Sequence, residues 1–141
     1  MSTDYENSID TLLKVLQSKG WYVLCKEMKQ PYLNDDFRVR YPGIPEDFAY
    51  FLATVDLCSD STGGMWFLTE PEYNRQRDRP LAWDFCERLV IDALEQDGHS
   101  EEVSSVKDFW DAWLPILLSA RAEYVYLALE RRSSIPSVVV T

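Results

Sequence analysis

Tyr41-Pro42-Gly43-Ile44-Pro45-Glu46-Asp47-Phe48-Ala49-Tyr50-Phe51-Leu52-Ala53-Thr54-Val55-Asp56-Leu57 is the stretch whose reading decides the fold. Pro42 and Pro45 each fix their own φ and bias the preceding residue toward extended backbone, so no regular element runs through both. A helix is expected to start at Pro45, because a missing N–H costs nothing at the first helical position. Glu46 and Asp47 place negative charge against the positive end of that helix's dipole. Phe48, Phe51, Leu52 and Val55 follow at helical spacing and form one apolar stripe. Asp56 and the run from Ser59 to Gly64 are expected to end the helix in a polar loop.

On the N-terminal side, Ser8 caps a helix whose apolar residues Ile9, Leu12, Leu13 and Leu16 repeat with helical period, and Gly20 suits its stop. Trp21 to Leu24 reads as an extended segment, and Lys26 to Arg40 as a connection with a short helical turn from Asp35. On the C-terminal side, Met65 to Thr69 reads as a strand. The preceding Gly63-Gly64 suits a turn with positive φ better than a phosphate cradle, since no Lys-Ser/Thr follows it. Pro71 to Pro80, with Arg75, Arg77 and Arg79, reads as a polar connection. Trp83, Cys86, Leu89, Val90, Ala93 and Leu94 keep helical period across Leu81 to Gln96, and Asp97-Gly98 stops it. A further helix from Ser100 is expected to bury Val103, Val106, Phe109, Trp110 and Trp113 and to end at Pro115. From Ile116 the period changes to two, so Ile116–Ser119 and Tyr124–Leu129 are expected to form an antiparallel hairpin, with Val138–Val140 as a last strand. The pattern predicts an α+β fold over residues 1–141, a single domain in which a mainly antiparallel sheet is packed with amphipathic helices.

Composition narrows the function. With 46% hydrophobic and 13% aromatic residues, the 141-residue chain has enough apolar surface for one core, and disorder is excluded. Its 24 acidic against 14 basic side chains give a formal net charge of −10, which argues against nucleic acid and favours a basic protein partner. No apolar run reaches the ~18 residues of a membrane span, and the polar, acidic start implies no secretion signal, so a cytoplasmic location is expected. Cys25, Cys58 and Cys86 fit neither a zinc site nor a disulfide framework and read as reduced, buried thiols. His99, the single histidine, lies in the turn Asp97-Gly98-His99-Ser100, and nothing in the sequence holds it near a cysteine or serine nucleophile. The pairs Asp35-Asp36, Glu46-Asp47 and Glu101-Glu102 are adjacent residues that point apart. A metal site from Asp35, Asp36, Glu70 or Glu72 is the weaker reading, no cofactor is implied, and Trp66, Trp83, Trp110 and Trp113 read as core rather than as a ligand cage.

Ile44 to Leu52 resembles the Leu/Ile-Pro-x-Asp-Tyr/Phe-x-x-Phe-Leu pattern of the SUKH superfamily, also called the Smi-Knr family. Gly64-Met65-Trp66-Phe67-Leu68 with Tyr73, and Trp113-Leu114-Pro115-Ile116-Leu117 leading to Tyr124-Val125-Tyr126-Leu127-Ala128, are similar to further family segments in the same order. The chain departs from the pattern in carrying Ser59 to Gly64 in place of Asn-Gly-Gly and Glu123 in place of a glycine. It also ends at Val138-Val139-Val140-Thr141, so its last strand is expected to lack a neighbour and the chain to be a monomer or, through that edge, a homodimer. The resemblance implies a non-enzymatic immunity protein that binds and neutralises a bacterial toxin domain, which the charge suggests is basic. The alternative is a regulatory or scaffold domain of the Smi-Knr type; a small-molecule enzyme is a third reading. Asp35, Asp36, Asp60, Glu70, Glu72 and Tyr73, expected in loops flanking the sheet, are the candidate contact residues.

Overall fold

The computed structural model describes residues 4–76, 83–121, 125–130 and 138–140. In chain order the elements are α1 (Asp4–Ser18), β1 (Tyr22–Cys25), α2 (Asp35–Arg40), α3 (Glu46–Thr54), β2 (Val55–Ser59), β3 (Met65–Phe67), α4 (Glu70–Tyr73), α5 (Phe85–Gln96), a 3-10 turn (Ser100–Glu102), α6 (Val103–Ala112), β4 (Trp113–Ser119), β5 (Val125–Glu130) and β6 (Val138–Val140). The strands form one sheet in the order β1-β2-β3-β4-β5-β6, antiparallel at every step. The α+β architecture follows.

Strand register sorts the layers. Phe67 pairs with Leu117 and Leu117 with Leu127, whereas the neighbouring row runs Trp66, Leu118, Tyr126. Directly paired residues share a face and successive residues alternate, so the two rows lie on opposite faces. The Phe67 ring lies 5.5 Å from Phe51 of α3 and 6.0 Å from Trp21, which places the N-terminal helices on its side. On the other face Tyr126 lies 5.3 Å from the Trp110 ring of α6, and its hydroxyl accepts the backbone N–H of Cys86 in α5. The core runs through both faces, from Leu13, Phe48, Phe51 and Leu52 to Trp66, Leu118 and Tyr126.

The short helix α2 closes one end of this arrangement. Its Phe37 is 2% exposed and packs against Tyr41, Tyr73 and Trp83 at ring distances of 5.2, 4.6 and 5.6 Å. Tyr73 donates its hydroxyl to the Pro115 carbonyl at 2.6 Å and Tyr41 donates to the Trp110 carbonyl at 2.6 Å, so the aromatic cluster is also tied to the backbone of β4 and α6.

Several boundaries differ from the sequence expectation. Pro45 caps α3 rather than opening it. The helix stops at Thr54, and Val55–Ser59, expected as helix end and polar loop, is the strand β2 between β1 and β3. Val55 continues the helical stripe and its N–H still donates to the Phe51 carbonyl, but it pairs with Cys25 of β1, about thirty residues earlier in the chain. The helix expected to reach Pro115 ends at Ala112. Trp113 opens β4, and Pro115 sits at the edge of a register shift, where a strand tolerates a residue without an N–H. Glu70–Tyr73 is helical rather than a connection; Arg77, Arg79 and Pro80, like Tyr124 of the expected hairpin, lie outside the described residues. The thiols are free as expected, but only Cys58 is fully buried, and burial pushes it up to about 12, while Cys25 is exposed on the edge strand.

The turn between β2 and β3 is organised by Asp60. Its carboxylate accepts the N–H of Thr62 at 3.2 Å, the Thr62 hydroxyl at 3.0 Å and the N–H of Gly64 at 3.0 Å, and it pairs with Arg121 from beyond β4. Gly63 sits at φ +76°, the positive-φ turn expected there. Burial alone would raise the Asp60 pKa, but the Thr62 and Arg121 hydrogen bonds and the Arg121 charge outweigh it and hold it below the usual value of 3.8. A depressed carboxylate contributes stability above its unfolded pKa and loses it as the pH falls through the lower folded value. Arg121 is more than half exposed, so solvent screens its charge and most of the effect comes from the local donors. Asp60→Asn is expected to cost about 2 kcal/mol at neutral pH. Urea midpoints of the variant should fall less steeply than the wild type as the pH drops below 3.8.

Candidate protein-binding surface

The structure separates the six residues expected to contact a partner. Asp60 and Tyr73 are each 2% exposed and serve the turn and the aromatic cluster just described, and Glu72 is also buried. Glu70 binds Lys26 at 3.0 Å, both side chains being mostly covered. These four therefore lie inside the fold or at its seams and not in loops open to a partner. Asp35 and Asp36 are exposed on α2, and Asp35 pairs with Arg38 at 2.6 Å on the wall of an open groove of about 730 Å³. Asp35, Asp36, Glu70 and Glu72 do not converge: among the described residues no group of three or more His, Cys, Asp or Glu side chains is placed to hold a metal ion.

A different surface carries the charge. From Phe85 to Ala112, α5, the 3-10 turn and α6 fold back on each other with eight acidic against two basic side chains, well over half of the chain's net charge of −10 in a fifth of its length. Asp92, Glu95, Asp97, Glu101, Glu102 and Asp108 are all exposed. Charge complementarity at such a surface accelerates the approach of a basic partner.

Helix α5 is tied to α2. Arg40 grips Glu87 with two parallel hydrogen bonds of 2.7 and 2.5 Å, and its Nε donates to Asp111 of α6 at 2.7 Å. Burial works against the Arg40 charge, but the Glu87 hydrogen bonds, the Tyr41 and Glu87 charges and the Asp111 hydrogen bond together outweigh it, and the guanidinium pKa lies above its ordinary value. Glu87 is 6% exposed, so a charged residue occupies the inner side of α5. Leu89 at 49%, Val90 at 44% and the exposed Ala93 occupy the outer side. An apolar stripe at helical period is ordinarily the buried one. Here the stripe is split: Trp83 is buried and Cys86 and Leu94 are half-buried, whereas Leu89, Val90 and Ala93 face solvent.

The tryptophans behave as core. Trp66 and Trp83 are buried and Trp110 and Trp113 half-buried. Tyr41, Trp83, Trp110 and Tyr126, with Asp84 and Glu87, enclose a space too tight for a water molecule, and the protein's own Arg40 and Arg75 already lie over the Tyr41 and Trp83 rings at 5.4 and 5.6 Å. His99 is exposed in its turn, 3.6 Å from Glu101. Among the described residues no helix is long and apolar enough to cross a membrane.

No family model, curated protein or solved structure matches this chain.

Sequence reasoning missed this surface because it took acidic residues from loops and treated helical stripes as core. The density of carboxylates between Asp92 and Asp111 was the available signal. The outward turn of Leu89 and Val90 had none, since periodicity does not say which way a helix is turned.

Proposed function

We propose that this chain is a non-enzymatic protein-binding module of the SUKH type that acts as a bacterial immunity protein, covering and neutralising a basic toxin domain in the cytoplasm. The observation that carries the proposal is the concentration of negative charge on the α5–α6 hairpin, where seven acidic against two basic side chains are exposed on one continuous segment and the eighth, Glu87, is buried. An area of about 800 Å² per partner suffices for a specific complex. The resemblance of Ile44–Leu52 to the SUKH pattern supports the same reading. Such a module protects by occlusion and needs no chemistry of its own.

Co-expression with a panel of bacterial toxin domains, basic nucleases among them, tests the proposal. Cells are expected to survive one toxin, and that toxin is expected to co-purify, with association slowing as salt rises from about 0.05 to 0.5 M because charge steers the encounter. Survival without co-purification, or no rescue by the chain of any toxin in the panel, would remove the immunity reading.

A further inference from the structure

Among the described residues the outer side of α5 is left exposed, and its composition says what it fits. Leu89, Val90 and Ala93 form a contiguous apolar strip on one side of the helix. Asp92 stands one turn beyond Leu89, and Asp97 one turn beyond Ala93, both exposed, so the strip is bordered by carboxylates. Its orientation is not an accident of a loosely held helix. The buried Arg40 to Glu87 contact, with Asp111 on the same guanidinium, holds the side of α5 adjoining the strip against α2 and α6. The Cys86 N–H bound to the Tyr126 hydroxyl fixes the N-terminal end of the helix to the sheet. A rigid helix with an outward apolar strip is preorganised for docking, because little ordering entropy remains to be lost.

We propose that this side of α5 is the docking face, and that it takes a basic protein segment presenting an apolar anchor between Lys or Arg side chains. A second copy of this chain is disfavoured as the occupant, because it would bring two surfaces of the same negative sign together. The edge strand β1, where Tyr22 and Leu24 are exposed, is the competing surface, but the carboxylates are concentrated on the other segment. The proposal rests on the protein-binding reading above and names the surface that reading requires.

The test uses the full chain, isotopically labelled, and two synthetic helical peptides of equal positive charge, one with Leu on one side and Lys around it, the other with Ala in place of Leu. Amide shifts on adding the Leu/Lys peptide are expected to concentrate between residues 86 and 97. The double variant Leu89→Ser, Val90→Ser, which removes only exposed groups and should fold as the wild type does, is expected to bind that peptide about tenfold more weakly. The Ala/Lys peptide should bind wild type and variant alike. Shifts centred on β1 or on the groove beside α2, or equal affinity of wild type and variant for the Leu/Lys peptide, would overturn the assignment. In the co-expression assay, a toxin neutralised equally well by both proteins would overturn the docking face and leave the immunity reading standing. Peptide binding that maps to α5 while every toxin goes unopposed would do the reverse.

Discussion

Phe37→Ala is expected to lower the free energy of unfolding by about 3–5 kcal/mol, the largest effect of any single substitution considered for this chain. The ring is 2% exposed and touches the rings of Tyr41, Tyr73 and Trp83, which come from three separate stretches of sequence. Alanine would remove the transfer free energy of the ring and leave a cavity that Tyr41 and Tyr73 are poorly able to close, since each is held by a hydroxyl bond to backbone of α6 or β4. Against a typical total of about 5–15 kcal/mol, such a loss leaves the domain marginal. Urea unfolding followed by tryptophan fluorescence would measure it, and a loss under 1.5 kcal/mol would show that the cluster repacks around the gap.

Arg40→Ala is the second. It would strand the Glu87 carboxylate at 6% exposure with no cation in contact, and breaking a buried pair from one side costs about 3–5 kcal/mol. The lower end is expected, because the Arg40 side chain is itself 22% exposed and water will reach part of the vacated space. The double variant Arg40→Met, Glu87→Leu separates stability from orientation. Replacing both charges with apolar groups of similar volume is expected to restore most of the loss, since neither ion then has to be desolvated. It also removes the contact that selects which side of α5 faces inward, so amide and methyl shifts across residues 85–96 should broaden or move. Full restoration of stability with unchanged shifts would mean that packing alone sets the rotation of α5.

Both substitutions fall on α2, six residues long and expected from the sequence only as a short turn beginning at Asp35. The helix has little intrinsic stability at that length. Its importance comes from what its two sides reach: Phe37 goes into the aromatic cluster, and Arg40 spans 47 residues to Glu87 and 71 to Asp111. Neither contact leaves a trace in the local sequence. The same limit explains β2. Val55-Asp56-Leu57-Cys58-Ser59 follows a helix without a break, and its strand character comes from hydrogen-bonding partners in β1 and β3. Local signals were right more often, though Ser8, expected as a cap, lies inside α1 and Pro115, expected as a helix stop, lies inside β4. The start of α3 near Pro45, the extended segment at Trp21–Leu24, the strand from Met65 and the antiparallel pairing of Ile116–Ser119 with the strand after it all depend on neighbours within a few residues.

The candidate site divides the same way. Acidity was legible, because charge is additive and needs no fold. Which acidic residues are exposed was not: Asp60 and Glu72, expected in loops between elements, are buried.

By itself the amino-acid order determined the element types along most of the chain, the α+β class and the sign of the charge. Only the tertiary structure decided that α5 carries its apolar strip outward and its Glu87 inward. Periodicity specifies the angles between side chains on a helix but not the direction in which the helix is turned. In the fold that direction sets the Glu87 carboxylate against the Arg40 guanidinium of α2, a contact between residues 47 apart, and leaves Leu89 and Val90 exposed.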